Sequence, residues 1–206
     1  MNNEKIIALT FDDGPSETTI EVLEILKKYD VKATFFLIGE LINEKTVPII
    51  KKELELGCEI ENHSYTHSDM REFSADKIKK EIEMTNTAIK NAVGVDTQFF
   101  RPPYILTSDT MFDNINMPFI VGMGCEDWEP SVSAEQRTKT ILDNAEDGMI
   151  ILLHDLLGNI NTVKALPSII EGLKEQGFSF VTLENLFKLK GINPNQKKKM
   201  WTYLMK

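Results

Sequence analysis

The chain has 206 residues, with 23 Lys and Arg against 32 Asp and Glu, a formal net charge of −9. With 42% hydrophobic and 27% charged residues and only 11 Gly and 8 Pro, it has the composition of a folded soluble domain. That excludes disordered, collagen-like and disulfide-stapled chains. The acidic balance leaves no surplus of Lys and Arg for counterion release, which argues against a nucleic-acid partner.

Short apolar runs alternate with helical patterns. Ile6-Ile7-Ala8-Leu9, leading into Phe11, is long enough for a strand and too short for a buried helix, and Asp12-Asp13-Gly14-Pro15 breaks it. Ile20, Leu23 and Leu26 give the next helix an apolar face. A second strand reads Ala33 to Leu37, followed by a helix from Val47 to Leu56 that stops at Gly57. Cys58 to Asn62 is a third strand. A long helix starts at Ser74 as N-cap, with Ile78, Ile82, Ile89 and Val93 on one side.

Gln98 to Phe100 and Phe119 to Val121 read as two more short strands. Ser133 and Gln136 form a capping-box signature for a helix ending near Ala145. Met149 to Leu153 is the most apolar strand. A helix ending at Gly177 follows, then a strand from Phe178 to Thr182 and a last helix near Leu183 to Lys188. The core is expected to span about residues 5–188, within a single domain over 1–206. The basic run Lys197-Lys198-Lys199 falls in a C-terminal tail read as solvated or frayed.

Two cysteines, Cys58 and Cys125, are too few for a disulfide framework and read as small buried thiols. No apolar run reaches the roughly 18–20 residues of a membrane span. The N-terminus has no signal-peptide core, so the chain as written is expected to stay where it is made. Oligomeric state leaves no signature in the sequence.

About seven strands separated by helices predict parallel pairing with right-handed crossovers. Gly-x-Gly-x-x-Gly is missing after the first strand, so the dinucleotide-binding version loses its main signature. In a barrel, residues just past each strand gather at one mouth. Those positions hold Asp12 and Asp13, His63 and His67, Arg101, Asp127 and Trp128, and His154 and Asp155; all three histidines of the chain are among them.

His63 and His67 at i, i+4 would share one face of a helical turn, close enough for one cation. Two surface or capping histidines are the plainer reading until a carboxylate joins them. Asp12-Asp13 supplies two, and consecutive residues leaving a strand point in opposite directions, one toward metal and one toward substrate. Turn-and-cap chemistry is the simpler account of that pair. Arg101-Pro102-Pro103-Tyr104 is rigid and extended, suited to a guanidinium clamping a carboxylate bidentately, or to a structural loop. His154 is either a core histidine or, with Asp127 on its other N–H, a positioned acid. Trp128 packs, or walls a pocket for a sugar ring.

Taken together, Thr10-Phe11-Asp12-Asp13-Gly14, His63-Ser64-Tyr65-Thr66-His67, Arg101-Pro102-Pro103-Tyr104, Asp127-Trp128 and Leu152-Leu153-His154 resemble, in order, the five motifs of the polysaccharide deacetylases. These are the family-four carbohydrate esterases with a NodB homology domain. The resemblance implies an α/β fold, an irregular, incomplete (β/α)7 barrel. It implies a divalent metal, most commonly zinc, with cobalt or another ion as substitute, held by Asp13, His63 and His67.

It further implies that Asp12 is the general base, Arg101 its tether, and His154 the general acid tuned by Asp127. The Tyr104 N–H would face the oxyanion, Leu152 would line the acetyl pocket, and Trp128 would border it. Partners implied are acetylated oligo- or polysaccharides, and the usual location is the cell envelope or outside the cell. Two positions depart from the family pattern. Gly124 stands where the fourth motif commonly opens with Asp, and Glu61, where a small residue is common, is expected to add negative charge near the metal.

The leading expectation is a hydrolase acting on N-acetylated glycans of chitooligosaccharide or peptidoglycan type. An acetylxylan esterase using the same site on O-acetyl groups is the alternative. Hydrolysis of a small cyclic amide and a catalytically silent glycan-binding module are more distant ones.

Overall fold

The structure, a computed structural model, describes residues 5–204. Strand β1 (Lys5–Gly14) is its spine. It pairs in parallel with β6 (Phe178–Val181) along its first half, β2 (Thr34–Leu37) along its second, and β5 (Ile150–His154) from Ala8 to Asp12. Strand β3 (Glu59–Asn62) continues the sheet beside β2. The intervening helices are α1 (Glu17–Tyr29), α2 (Val47–Glu55), α3 (Ala75–Val93), α5 (Ala134–Asp143) and α6 (Ile160–Glu175). A short α4 (Asp109–Asn114) and a late α7 (Leu183–Lys190) complete the set.

Local sequence explains most boundaries. Ser16 and Ser133 cap α1 and α5 with reciprocal capping boxes, and Ser74 accepts from Lys77 N at the start of α3. Strand alternation then separates two apolar layers. Ile7, Leu9 and Phe11 of β1, with Phe35, Ile151 and Leu153, pack outward against the helices. Ile6, Ala8, Phe36 and Ile150 face an inner core with Phe99, Phe187 and Trp201. By the same parity Thr10, Asp12, Leu152 and His154 sit on the inner face, ascending toward the mouth.

The expected α/β barrel is present and incomplete. Its far wall is made of single bridges rather than strands: Asn62 to Phe100, Phe100 to Phe119, and Met123 to Ile151. The strand predicted at 98–100 is thus one bridged residue, because Pro102 and Pro103 have no N–H to extend a ladder. The strand predicted at 119–121 shortens to β4 (Phe119–Ile120). Its partner is β7 (Met200–Trp201), in the tail that the sequence predicts to be solvated or frayed.

The tail is docked, and the core runs to 204 rather than 188. Trp201 and Leu204 are buried, Trp201 Nε1 donates to Pro194 O at 3.0 Å, and its ring meets Phe187 edge-on at 5.2 Å. Tyr203 bridges Met149, and Leu204 N bonds Gly148 O. Lys198 pairs with Asp109 and Lys199 lies over the Trp201 ring. The apolar alternation after the lysines is too short to stand out, yet Trp201 plugs the open side of the barrel. Trp201→Ala is expected to cost about 3–5 kcal/mol of stability, the usual loss for a buried tryptophan. Urea denaturation measures it, and a loss below about 1 kcal/mol would show that the tail is ornamental.

Candidate active site

Asp12 ends the inner face of β1 and is 2% exposed. Asp13 follows at φ 73°, a left-handed conformation that Asp tolerates better than most residues. That turn breaks strand alternation, so the two carboxylates do not point apart as the sequence suggested. Asp13 Oδ1 lies 3.4 Å from His63 Nε2 and 3.2 Å from His67 Nε2, and Asp12 Oδ2 lies 3.7 Å from His63 Nε2. Gly14 is required next: a Cβ there would meet Asp155 Oδ2 at 2.6 Å. Asp155 is itself fully buried, bonded by Thr19 Oγ1, and burial pushes its carboxyl up to about 7.

His63 and His67 converge, but not on a helical turn. Ser64 and His67 have φ of 64° and 53°, and the segment is a loop. Side chains the sequence reading missed hold it: Glu81 of α3 accepts from Tyr65 N, Thr66 N and Thr66 Oγ1, and Asn62 Oδ1 accepts from Ser64 N. Ser64 Oγ accepts from His67 N at 3.1 Å. Five neutral donors aimed at three side chains, Glu81, Asn62 and Ser64, fix the loop more firmly than helical spacing would. The His63 Nδ1–H donates to Arg101 O at 2.7 Å, which leaves Nε2 with a lone pair toward Asp13. The rings are 4.8 Å apart.

Arg101 is fully buried. It reaches Asp12 through one nitrogen: Nη1 donates to Asp12 Oδ1 at 2.5 Å and to Thr10 Oγ1 at 2.9 Å. The bidentate clamp expected from the sequence does not form, because the guanidinium is stacked over Phe36, 4.2 Å from its centroid, and turns an edge to the carboxylate. Tyr104, at φ 57° in the turn Pro103–Ile105, is 62% exposed, with its ring 4.6 Å from that of His67.

Across the mouth, the His154 Nδ1–H donates to Asp127 Oδ1 at 2.7 Å. Asp127 Oδ2 accepts from His154 N at 2.7 Å and from Thr162 Oγ1 at 2.8 Å. Behind them, the Arg137 Nη1 donates to Asn159 Oδ1 and Thr162 Oγ1. Arg137 is 1% exposed on the same helical row as Ile141, and a cation on an apolar row was its one sequence signal. Burial alone would depress the imidazolium, but hydrogen bonding and charge from Asp127, with the charges of Asp12 and Asp13, carry His154 up to about 9. Burial raises Asp13 too, and His63, with the charges of His67 and His154, more than offsets it, leaving about 2.

These groups share one cavity of about 360 Å³, lined by Asp12, Asp13, His63 and His67 on one side and Trp128, Leu152 and His154 on the other, with Tyr104 and Ile105 above. Trp128 is half exposed, its ring edge-on to His154 at 5.6 Å. Position 124 adjoins this wall: a Cβ on Gly124 would stand 3.8 Å from Leu152 Cδ2 and 3.9 Å from Trp128 Cζ3, in ordinary contact. Glu61 is not at the cavity. It accepts from Gln98 N and Phe99 N at 2.7 Å, tying down the segment that leads to Arg101, and burial raises its carboxyl well above the usual range. The expected extra charge beside the metal is therefore absent. Cys58 and Cys125 are buried free thiols, as expected.

Among the described residues, Asp13, His63 and His67 are the group whose ligand atoms could share a cation, all lying within 4.8 Å of one another. Asp13 Oδ1 is buried and has no hydrogen-bond partner, as expected for an atom whose partner is an ion. One carboxylate and two imidazoles fit a divalent metal with open positions. Fold and donor set together define a parallel α/β-barrel protein with a candidate divalent-metal centre at the mouth.

Comparison with known proteins agrees. The family model described as polysaccharide deacetylase matches residues 1–117. A bifunctional xylanase/deacetylase of Pseudobutyrivibrio xylanivorans is 56% identical over 200 residues, 97% of this chain and 33% of that protein. A peptidoglycan-N-acetylglucosamine deacetylase of Listeria monocytogenes is 36% identical over 89% of this chain and 39% of its own length. The chain thus spans a third to two-fifths of these relatives.

Among solved structures, the Xyl-CE4 domain of a multidomain xylanase from the hindgut metagenome of Trinervitermes trinervoides superposes with a TM-score of 0.97 at 56% identity, covering 98% of each chain. A family 4 acetyl xylan esterase from Clostridium thermocellum, in complex with a cobalt ion, gives 0.94 at 44% identity, covering 97% of this chain and 98% of that one. The chain belongs to the polysaccharide deacetylase family, carbohydrate esterase family 4. Among the described residues no helix is long and apolar enough to cross a membrane.

Proposed function

We propose that this chain is a metal-dependent hydrolase that removes acetyl groups from glycans, with residues 5–204 acting as one catalytic domain. The observation that carries the reading is the convergence of Asp13, His63 and His67 between a buried carboxylate tethered by Arg101 and an imidazole backed by Asp127. Asp13, His63 and His67 would hold the ion, zinc by preference and cobalt as substitute. When bound, a divalent cation supplies Lewis-acid activation of water and of the acetyl carbonyl.

The protein's own groups do the rest. Asp12 accepts the proton of the attacking water, and Arg101, donating to its Oδ1, keeps that carboxylate aimed. The Tyr104 N–H donates to the carbonyl oxygen as negative charge grows on it. Leu152 takes the acetyl methyl, and Trp128 flanks the sugar. His154, protonated at neutral pH, gives its Nε2 proton to the departing sugar oxygen or nitrogen, while Asp127 fixes its orientation.

Removal of metal by chelator should abolish acetate release, and added Zn²⁺ or Co²⁺ should restore it. Full activity in verified metal-free protein refutes the reading. The leaving group is either a sugar amine, as on chitooligosaccharide or peptidoglycan, or a sugar hydroxyl, as on xylan. The second is favoured by one observation: the relatives at 56% and 44% identity bear the names xylanase/deacetylase and acetyl xylan esterase, both tied to xylan, against 36% for the peptidoglycan enzyme. Acetate release from acetylated chitooligosaccharide and acetylated xylan, assayed side by side, decides between them.

A further inference from the structure

The rim of the cavity is apolar at its tips and negative around them. Of the large hydrophobic side chains that the described residues leave exposed, Tyr104, Trp128, Leu157 and Ile160 all stand on or beside loops at the C-terminal ends of the strands. Leu157, 68% exposed, lies two residues past Asp155 in the loop between β5 and α6. That loop is fastened to the Trp128 loop, because Asn159 donates to Asp127 Oδ2 and Asn161, at the start of α6, donates to Pro130 O and Val132 O. It is fastened on its other side by Gly158 N donating to Thr18 Oγ1. Leu157 does not line the cavity; it stands in the loop that leaves β5 just after His154, the side on which the leaving sugar is proposed to depart.

The charge around this edge is one-sided. Trp128 sits in a tight turn closed by Glu129 N donating to Glu126 O, and both of those carboxylates are exposed. In the loops 38–46, 63–74, 101–108, 121–133 and 155–159, exposed Glu40, Glu44, Asp69, Glu72, Glu126 and Glu129 face only Lys45 and Arg71 as exposed cations. Arg71 is bound by Asp69. The lysines of the tail line a different groove, with Phe112 and Met117, and Lys198 is held by Asp109.

We infer that the site selects an uncharged glycan chain, its ring faces laid along Trp128 and Leu157, and that Glu126 and Glu129 turn away chains carrying carboxylates. The inference rests on the proposed deacetylase reading and narrows its substrate class. Sugar rings present apolar C–H faces that pack on exposed aromatic and aliphatic side chains. Two rim carboxylates repel an anionic chain over about one Debye length, roughly 8 Å at physiological salt, and rim charges act mainly on association rate and its salt dependence.

The test compares acetylated xylo-oligosaccharides with the same backbone bearing uronate side groups. In dilute buffer kcat/KM for the neutral chain should exceed that for the anionic one by about tenfold, and the ratio should approach one at high salt. Glu126→Gln with Glu129→Gln should bring the low-salt ratio down about 3–10-fold, and Leu157→Ser should lower kcat/KM on a hexasaccharide relative to a disaccharide by a similar factor. A low-salt ratio of one, or one that neither salt nor the double variant changes, overturns the inference; the latter marks steric exclusion. Calorimetric affinities of the holoprotein for the two chains separate the levels of the argument. Equal affinities overturn charge selection, whereas unequal affinities with acetate released from neither chain support it and overturn the hydrolase reading.

Discussion

Asp12→Asn is expected to lower turnover by about 10²–10⁴, the usual worth of a general base, with affinity for Zn²⁺ kept. The asparagine carbonyl can still accept the Arg101 N–H that now reaches Asp12 Oδ1 at 2.5 Å, so side-chain direction is preserved. What is lost is the ability to take a proton from water. Asp12 is not among the three residues whose ligand atoms cluster, so metal binding by calorimetry should stay within a few fold. The substitution also removes the one carboxylate paired with a fully buried guanidinium. Some loss of stability therefore accompanies it, and thermal melting must confirm that the variant is folded at the assay temperature. Undiminished turnover in folded, metal-loaded Asp12→Asn would remove the base from Asp12.

The second large effect concerns the acid. His154→Ala should cost about 10²–10⁴ in turnover on an amide substrate, and less on an activated ester whose leaving group needs no proton. Asp127→Asn should act through pH. His154 works protonated, so activity falls as pH rises through its pKa, which the Asp127 carboxylate holds near 9. Without that carboxylate the burial effect is unopposed by it, and the alkaline limb moves to lower pH. Stability has the same sign: a raised folded-state value adds stability fully present below the unfolded value near 6.5 and lost as pH climbs toward 9. An alkaline limb that stays in place in Asp127→Asn would show that another group donates the proton.

Strand β1 and its inner-face carboxylate were legible because alternation and the Asp-Asp-Gly-Pro stop are local signals, and β5 because its apolar run is long. The meeting of Asp13 with His63 and His67 was legible as chemistry but not as geometry. Spacing suggested a helical turn, whereas two left-handed residues and Glu81, supplied from α3, make a loop. Arg137, Asn159 and Thr162 were invisible for a related reason: each is ordinary alone, and only the fold brings Asn159 and Thr162, 32 and 35 residues on, to Asp127 with Arg137 behind them. The docked tail escaped because two residues of strand carry no periodicity, and the lysines before it mimic a solvated end.

The position of β1 has a consequence for how the chain comes to be folded. Its central register partner is Leu152, opposite Thr10, and its outer one Phe178, opposite Lys5. During synthesis β1 therefore keeps one hydrogen-bonding edge open until β5 and β6, far along the chain, have been made. Such distant closure favours slow folding and makes β1 a natural client of a chaperone until β5 arrives.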